Sequence, residues 1–239
     1  MDIYHDSFSN QTSFILQDYF LFIDTETSGL PKSWKVSYTQ DKNWPHIIQI
    51  AWVVYDKNFI EVDRKNYFIE NDGFKIEKSS QKIHHITTEY LQANGKPRAF
   101  VMNAFHEDIK KYKPLIIGHF VEFDYHMINV EFQRLDIVNV LQNLTLFCTM
   151  KASKPYVRNP EVELLKLNQF YFELFNEEPK DFHNALSDAL NTAKIFFHLF
   201  RTGEVNFEKI EAQQEEFAIP GASDKNNSVK KLISRLFSI

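Results

Sequence analysis

Two acidic residues, Asp24 and Glu26, follow a short apolar run and are separated by one residue. In an extended chain, residues i and i+2 project to the same side, so both carboxylates are expected to face one point. Two negative groups held close together favour a hard divalent cation such as Mg²⁺ or Mn²⁺, because the cation relieves their repulsion. A solvated turn at a strand-to-loop junction gives the same Asp-x-Glu pattern, so the motif alone does not establish a metal site.

Three further polar residues lie at the starts of two predicted helices. Asp124 falls in the first turn of a helix that follows an apolar strand, where simple helix capping would also explain an acid. His183 precedes a second helix, and Asp188 lies in its opening turns between Ala185 and Ala189. These small alanines would let the helix approach the site closely. A histidine in this place is either a proton acceptor or a structural hydrogen-bonding group.

The elements that would position these residues change character along the chain. Apolar and β-branched runs predict strands at residues 19–23, 47–55, 62–69, 115–118 and 145–148. The first three strands follow one another directly, which predicts antiparallel neighbours, and alternation with helices in the second half predicts parallel strands. The sequence therefore predicts an α/β fold with a mixed five-stranded sheet flanked by helices. Helical periodicity is found near 76–82, 87–93, from about 98, 122–134, 164–175, 184–201 and 204–217.

Length and composition limit the class of protein. A chain of 239 residues with 44% hydrophobic content can build one substantial core, which predicts one catalytic domain. No apolar run approaches the roughly 20 residues that cross a bilayer, and the first residues lack a basic region, so no membrane partner is expected. A single cysteine, Cys148, fits a reducing compartment and predicts a cytoplasmic protein. Because the net charge is −5, nucleic-acid binding would require a local basic patch or bound cations.

Taken together, the acidic segments resemble the three exonuclease motifs of the DEDD superfamily. The similarity is to its histidine-containing branch, the DnaQ-like or DNA polymerase III epsilon-subunit type. It extends to residues 24–30, 45–51, 83–87 and 183–193 and covers roughly residues 19–202. Two positions depart from the family pattern: Phe120 stands where the second motif usually has asparagine, and His85 stands where the family's HGIT block has glycine.

The resemblance implies a ribonuclease H-like fold and a metal-dependent 3′–5′ exonuclease. Such an enzyme hydrolyses phosphodiester bonds at the 3′ end of DNA, preferably single-stranded, and releases nucleoside 5′-monophosphates in proofreading or repair. The implied cofactors are two divalent ions about 4 Å apart, Mg²⁺ or Mn²⁺, bound by Asp24, Glu26, Asp124 and Asp188. His183 would be the general base. The residues implied to contact the terminal nucleotide are Thr25, Thr27, Gly29, Leu30 and His84.

Two groups of residues outside the motifs are also predicted to contact the nucleic acid. In the long connection before Pro45, the aromatic rings of Trp34, Tyr38 and Trp44 are predicted to stack on bases. Local cations that would guide the strand are Lys151, Lys154 and Arg158.

After Gly203 the composition becomes polar and rich in acids. This shift predicts an exonuclease domain at residues 1–203 and a helical extension at 204–239, with a linker-like stretch at 219–228. The last eleven residues place apolar side chains on one helical face. That face would pack on the chain's own domain or dock on a polymerase subunit, a sliding clamp or a second copy of the chain.

Two rival functions stay open at this point. An RNA 3′-exonuclease of the oligoribonuclease or ribonuclease T kind would use the same motifs, and competition between end-labelled DNA and RNA would distinguish it. A catalytically inactive nucleic-acid-binding or polymerase adaptor module would share the fold without the reaction. Loss of a metal-binding residue is expected in such a module, whereas all five catalytic candidates are present here.

Overall fold

A computed structural model describes residues 17–217 of the chain. Its five strands form one sheet in the order β3-β2-β1-β4-β5. The pairs β1–β2 and β2–β3 are antiparallel, whereas β1–β4 and β4–β5 are parallel. The predicted mixed sheet is therefore confirmed. The strands are β1 (Tyr19–Thr27), β2 (Ile47–Asp56), β3 (Glu61–Phe68), β4 (Leu115–Gly118) and β5 (Leu146–Cys148).

Eight α-helices flank this sheet in the part of the chain that the structure describes. The four-residue helix α5 escaped sequence prediction because one turn is too short to show a periodic apolar face. None of the helices within residues 17–217 combines the length and apolar character that crossing a bilayer requires. The helices are α1 (Lys78–His84), α2 (Thr88–Asn94), α3 (Arg98–Tyr112), α4 (Val121–Arg134), α5 (Thr149–Ala152), α6 (Leu167–Phe175), α7 (Ala185–Arg201) and α8 (Phe207–Glu216).

Strand β1 lies at the centre of the sheet and is buried on both faces. Leu21 and Ile23 pack into a core formed with α3 and α4, whereas Phe20 and Phe22 pack into a second core formed with α6 and α7. This double burial explains why the strand reads as an unbroken apolar run rather than an alternating one. The C-terminal end of β1 consequently emerges between helices of both layers.

The long connection between β1 and β2 is packed against α4. Trp34 and Trp44 are buried and meet edge to face with ring centroids 6.0 Å apart. The Tyr38 hydroxyl lies 2.8 Å from Nδ1 of His126 on α4. The prediction that Trp34 and Trp44 stack on bases is wrong, because their rings fill the space between the connection and this helix.

Helix α8 packs along the outer edge of β5. The Cys148 backbone N–H donates to Oε1 of Gln213 at 2.9 Å, and Nε2 of Gln213 donates to the Cys148 carbonyl at 3.2 Å. The Leu146 N–H donates to Oε1 of Gln214 at 2.9 Å. Two glutamine side chains thus satisfy strand-edge groups that would otherwise lack partners. The predicted linker at 219–228 and the apolar face after it lie outside the described residues.

Candidate active site

The carboxylates of Asp24 and Glu26 point from the C-terminal end of β1 toward the layer of α7. Both residues are half-buried, and Thr25 between them is buried on the opposite face, as expected for alternate positions of a strand. The pKa of Asp24 lies well above its usual range because burial removes water and because Asp124, Asp188 and Glu26 repel its charge. Burial followed by repulsion from Asp188 and Asp124 raises the pKa of Glu26 as well.

Asp124 approaches the same point from the first turn of α4. A side chain at Gly118 would place its Cβ 2.9 Å from the Cβ of Val121, so the strand can pass this close to the helix only with glycine. The Thr25 hydroxyl donates to Oδ1 of Asp124 at 2.6 Å. Burial raises the pKa of Asp124 to about 7, although the Thr25 hydrogen bond opposes this shift. Asp124 is therefore more than a capping residue.

His183 and Asp188 are brought together by the start of α7. The side-chain oxygen of Asn184 caps this helix by accepting from the N–H groups of Leu186 and Ser187. His183 precedes the cap in the left-handed region, with φ of 67°, and its N–H donates to Oδ2 of Asp188 at 3.1 Å. Burial raises the pKa of Asp188 to about 7. Its other oxygen, Oδ1, is buried without a hydrogen-bond partner among the described groups.

Gln49 on β2 is a positioning residue that sequence reasoning missed. It pairs with Glu26 in the β1–β2 register, and its fully buried side chain accepts from the Ala185 N–H at 3.3 Å. Its amide nitrogen donates to Oδ1 of Asn66 at 2.9 Å. The start of α7 is thereby fixed beside the end of β1. A glutamine within an otherwise apolar strand was the available signal, since a buried polar side chain requires partners.

The arrangement fits a divalent cation. One ligand atom from each of Glu26, His183 and Asp188 lies within 4.8 Å of the others. The unpartnered Oδ1 of Asp188 is what a cation would satisfy, and oxygen-rich donor sets suit Mg²⁺ or Mn²⁺. Asp24 and Asp124 lie outside this compact group but are electrostatically linked to it.

The imidazole of His183 is held in its neutral form. Burial lowers its pKa, and electrostatic interactions with Lys166 and His85 lower the pKa further. Neutral imidazole can accept a proton, which is what a general base requires.

The acidic residues border a cleft whose other wall is apolar. Among the residues predicted to contact a nucleotide, Thr25 and Thr27 line this cleft, whereas Gly29, Leu30 and His84 do not. The cleft is lined by Asp24, Thr25, Glu26, Thr27, Ile83, His119, Phe120, Phe123, Asp124, Met150, Lys166, Leu167, Phe182, His183 and Asp188.

The other predicted contact residues support the backbone next to the cleft. The Thr27 hydroxyl donates to the carbonyl of Gly29 at 2.7 Å, and Leu30 packs against the core formed with α3 and α4. His84 is buried, which lowers its pKa to about 4, and its Nδ1 accepts from the Ile86 N–H at 3.0 Å. In this structure these groups stabilise the C-terminal end of β1 and the residues that directly follow it.

The two departures from the family pattern share one backbone conformation. His85 has φ of 60° and Phe120 has φ of 76°, values that glycine and asparagine adopt more easily than other residues. Both positions therefore have a left-handed backbone although neither histidine nor phenylalanine favours it. Phe120 adds its ring to the cleft wall, stacked on Phe123 with centroids 6.2 Å apart.

Lys166 is a cleft residue that sequence reasoning missed. It directly precedes α6 and was indistinguishable by type or spacing from a solvent-exposed lysine. None of the predicted guiding cations lines the cleft, since Lys151 lies over the Phe217 ring and Arg158 pairs with Glu173. Their role in guiding a strand stays a prediction.

The sequence matches the model of the RNase_T family, described as an exonuclease, over residues 21–196. This match spans most of the chain, and the chain belongs to this family of nuclease hydrolases. No curated protein matches the sequence.

The fold is shared with solved structures of E. coli exonuclease I. The complex with a dT13 oligonucleotide superposes with a TM-score of 0.63 at 18% identity, covering 79% of this chain and 43% of that one. A complex with dA16 gives 0.59 at 19% identity, with 82% and 46% covered. The zinc-bound form of the complex with single-stranded DNA gives 0.61 at 19%, with 82% and 45% covered. This chain therefore spans less than half the length of the exonuclease I chains that it matches.

Proposed function

We propose that this chain is a divalent-metal-dependent 3′–5′ exonuclease that removes nucleoside 5′-monophosphates from single-stranded DNA. The observation that supports this most is the meeting of Asp24, Glu26, Asp124, His183 and Asp188 at one cleft. Four carboxylates with raised pKa values are an unfavourable arrangement unless cations neutralise them. Membership of the exonuclease family agrees with that reading.

In the proposed reaction, Asp24, Glu26, Asp124 and Asp188 hold two divalent cations. Bound cations of this kind supply Lewis acidity, which makes water more acidic and offsets the negative charge of the phosphate. His183 accepts a proton from the attacking water at an imidazole nitrogen, because its lowered pKa keeps it neutral. A bond forms from the water oxygen to phosphorus while the bond from phosphorus to the 3′ oxygen of the preceding nucleotide breaks. That 3′ oxygen takes up a proton from solvent to become the new 3′ hydroxyl, and the phosphate leaves with the terminal nucleoside.

The other groups at the cleft orient this machinery. The Thr25 hydroxyl fixes one oxygen of Asp124, and the His183 N–H fixes one oxygen of Asp188. Asp124 and Asp188 are thus each held through one carboxylate oxygen. The apolar wall, which includes Phe120 and Phe123, excludes water from one side and offers ring surface to a base.

DNA is the proposed substrate because the exonuclease I structures that share this fold hold dT13 and dA16 oligonucleotides. The test compares DNA and RNA of one sequence, each labelled at the 3′ or the 5′ end, with Mg²⁺, Mn²⁺, Zn²⁺ or EDTA. We expect the 3′ label to be released early from DNA as mononucleotide, and no label to be released in EDTA. Preferred release from RNA would instead support the ribonuclease alternative.

A proofreading or repair role is part of the proposal and follows the resemblance to epsilon subunits. It expects faster removal of a mismatched 3′-terminal nucleotide than of a paired one, because a mismatched end frays into a single strand more readily. Equal rates on a matched and a mismatched primer terminus would contradict that role while leaving the exonuclease assignment intact.

A further inference from the structure

The cleft contains a cationic side chain to which nothing has so far been assigned, that of Lys166. Among the described residues that line the cleft, it is the only lysine or arginine. The side chain is half-buried. Within residues 17–217 no salt bridge involves it. A basic group on the wall of an acidic cleft is therefore available to an anionic ligand.

The backbone of Lys166 is held firmly at the start of α6. Its N–H donates to Oε1 of Gln169 at 3.0 Å, and its carbonyl accepts from the Phe170 N–H at 2.9 Å. The next residue, Leu167, is buried in the core formed with α6 and α7. Fixing the backbone in this way leaves only the lysine side chain to be ordered when a ligand binds, which limits the entropy cost of binding.

Lys166 lines the same cleft as the proposed general base, His183. A general base must lie about 2.6–3.2 Å from the water that it deprotonates, and that water attacks the phosphorus of the bond being cleaved. A phosphate that enters this cleft to meet His183 therefore enters the cleft that Lys166 also lines.

We propose that Lys166 binds a non-bridging oxygen of the scissile phosphodiester and holds the 3′-terminal linkage against His183. This inference rests on the exonuclease function proposed above. The Lys166 side chain supplies local positive charge, which helps a chain with a formal charge of −5 to bind a polyanion. In addition to the cations that the carboxylates would hold, the lysine provides a second point that fixes the direction of the phosphate.

The first test measures binding of a single-stranded dT oligonucleotide to the full chain in Ca²⁺ at several salt concentrations. Each lysine–phosphate contact contributes about 0.7 to the slope of log K against log salt for a single strand. Lys166→Met should lower the slope by about that amount, whereas Lys166→Arg should retain it. Lys96→Met is the matched control, because Lys96 is exposed and does not line the cleft.

The second test removes the charge from the substrate instead of from the protein. A methylphosphonate at the 3′-terminal linkage should weaken binding to the wild-type chain about tenfold, the scale of one charge-assisted contact. The same substitution should weaken binding to Lys166→Met clearly less than it weakens binding to the wild type, because the lysine contact is already absent and only the contact with the bound cations is lost. Equal weakening in both proteins would overturn the proposal.

Activity assays distinguish failure of the Lys166 proposal from failure of the proposed exonuclease function. If the wild-type chain releases no nucleotide from any 3′ end, the proposed function fails. If the wild-type chain is active and Lys166→Met matches it in salt slope, binding and rate, the assignment of Lys166 alone fails. A loss in Lys166→Met that Lys166→Arg does not recover would also contradict it, since the arginine keeps the charge.

Discussion

The Thr25 hydroxyl donates to Oδ1 of Asp124 at 2.6 Å and thereby connects strand β1 to the first turn of α4. Thr25 lies between the two acidic residues of the strand, on the face opposite to theirs. This hydrogen bond consequently fixes the position of the Asp124 carboxylate relative to the carboxylates of Asp24 and Glu26 at the end of β1. This bond also opposes the rise in the pKa of Asp124 caused by burial.

Thr25→Val should weaken metal binding. Without the hydroxyl, the pKa of Asp124 rises further, so its ionised form becomes harder to obtain and a higher metal concentration is needed. Loss of one buried hydrogen bond should also cost about 1 kcal/mol in the free energy of unfolding. The measurement is nuclease rate against Mg²⁺ concentration, with Thr25→Ser as the control that keeps the hydroxyl. An unchanged half-saturating Mg²⁺ concentration in Thr25→Val would contradict this role.

The metal-free protein should become less stable as the pH rises from 4 to above 7. The pKa values of Asp124 and Asp188 rise on folding from 3.8 to about 7. The folded chain therefore keeps protons that the unfolded chain has released in this range, and their stabilising contribution is lost as the pH passes 7. Thermal unfolding in EDTA at pH 5 and pH 8 measures the effect, and added Mg²⁺ should reduce it.

Asp188→Asn should raise the melting temperature of the metal-free protein at pH 8. The amide carries no charge to desolvate, and its oxygen can still accept from the His183 N–H. A gain of several degrees is expected, since one pKa unit corresponds to about 1.4 kcal/mol and 1 kcal/mol shifts the melting temperature by about 2–4 °C at this size. The gain in melting temperature should be smaller at pH 5. Glu211→Gln, at an exposed position of α8, is the control and should not change the melting temperature. A lower melting temperature for Asp188→Asn at pH 8 would contradict the account.

His183→Asn should reduce the rate by about two to four orders of magnitude while preserving the fold. Removal of a general base has an effect of that size. Asparagine is the substitution of choice, because it tolerates the left-handed backbone at this position. The measurement is single-turnover nucleotide release, with a circular dichroism spectrum as the check on folding. A rate within threefold of the wild type would remove His183 from the mechanism.

The left-handed backbone at His85 predicts a stability difference between two variants. His85→Gly should be about 1 kcal/mol more stable than His85→Ala, because alanine retains a Cβ at φ of 60° and glycine does not. Denaturant unfolding of the two variants gives this difference directly. Equal stabilities would show that the strain attributed to this residue is absent.

The contact of α8 with β5 predicts where the chain can be shortened. Deletion of residues 204–239 removes the glutamines that satisfy Leu146 and Cys148, so it should destabilise the sheet. Deletion of residues 219–239 spares them and should leave nuclease activity intact. Gln213→Ala should lower the free energy of unfolding by about 1–3 kcal/mol, the cost of unpaired backbone groups at a covered edge. Full stability of the shorter chain would instead favour a domain that ends at residue 203.

The sheet and the carboxylates were accessible from the sequence because each leaves a local pattern. The continuous apolar run at residues 19–23 indicated the first strand, which the structure extends to Thr27. The alternate positions of Asp24 and Glu26 predicted that their side chains share one side. Trp34 and Trp44 were misassigned because an aromatic residue in a loop looks the same whether it faces solvent or α4. Gln49 left a local signal as a polar residue in an apolar strand, but its contact with the start of α7 is tertiary. Lys166 left no signal in residue type or spacing.

The central claim is tested most directly by single-turnover release of mononucleotide from a 3′-labelled single strand in Mg²⁺ or Mn²⁺, comparing the wild-type chain with Asp24→Asn. The account predicts early loss of 3′ label in the wild type, none in EDTA, and a reduction of at least about 100-fold in the variant, because its carboxylate charge is required for the bound cations. Unchanged release by Asp24→Asn, or release in EDTA, would contradict it.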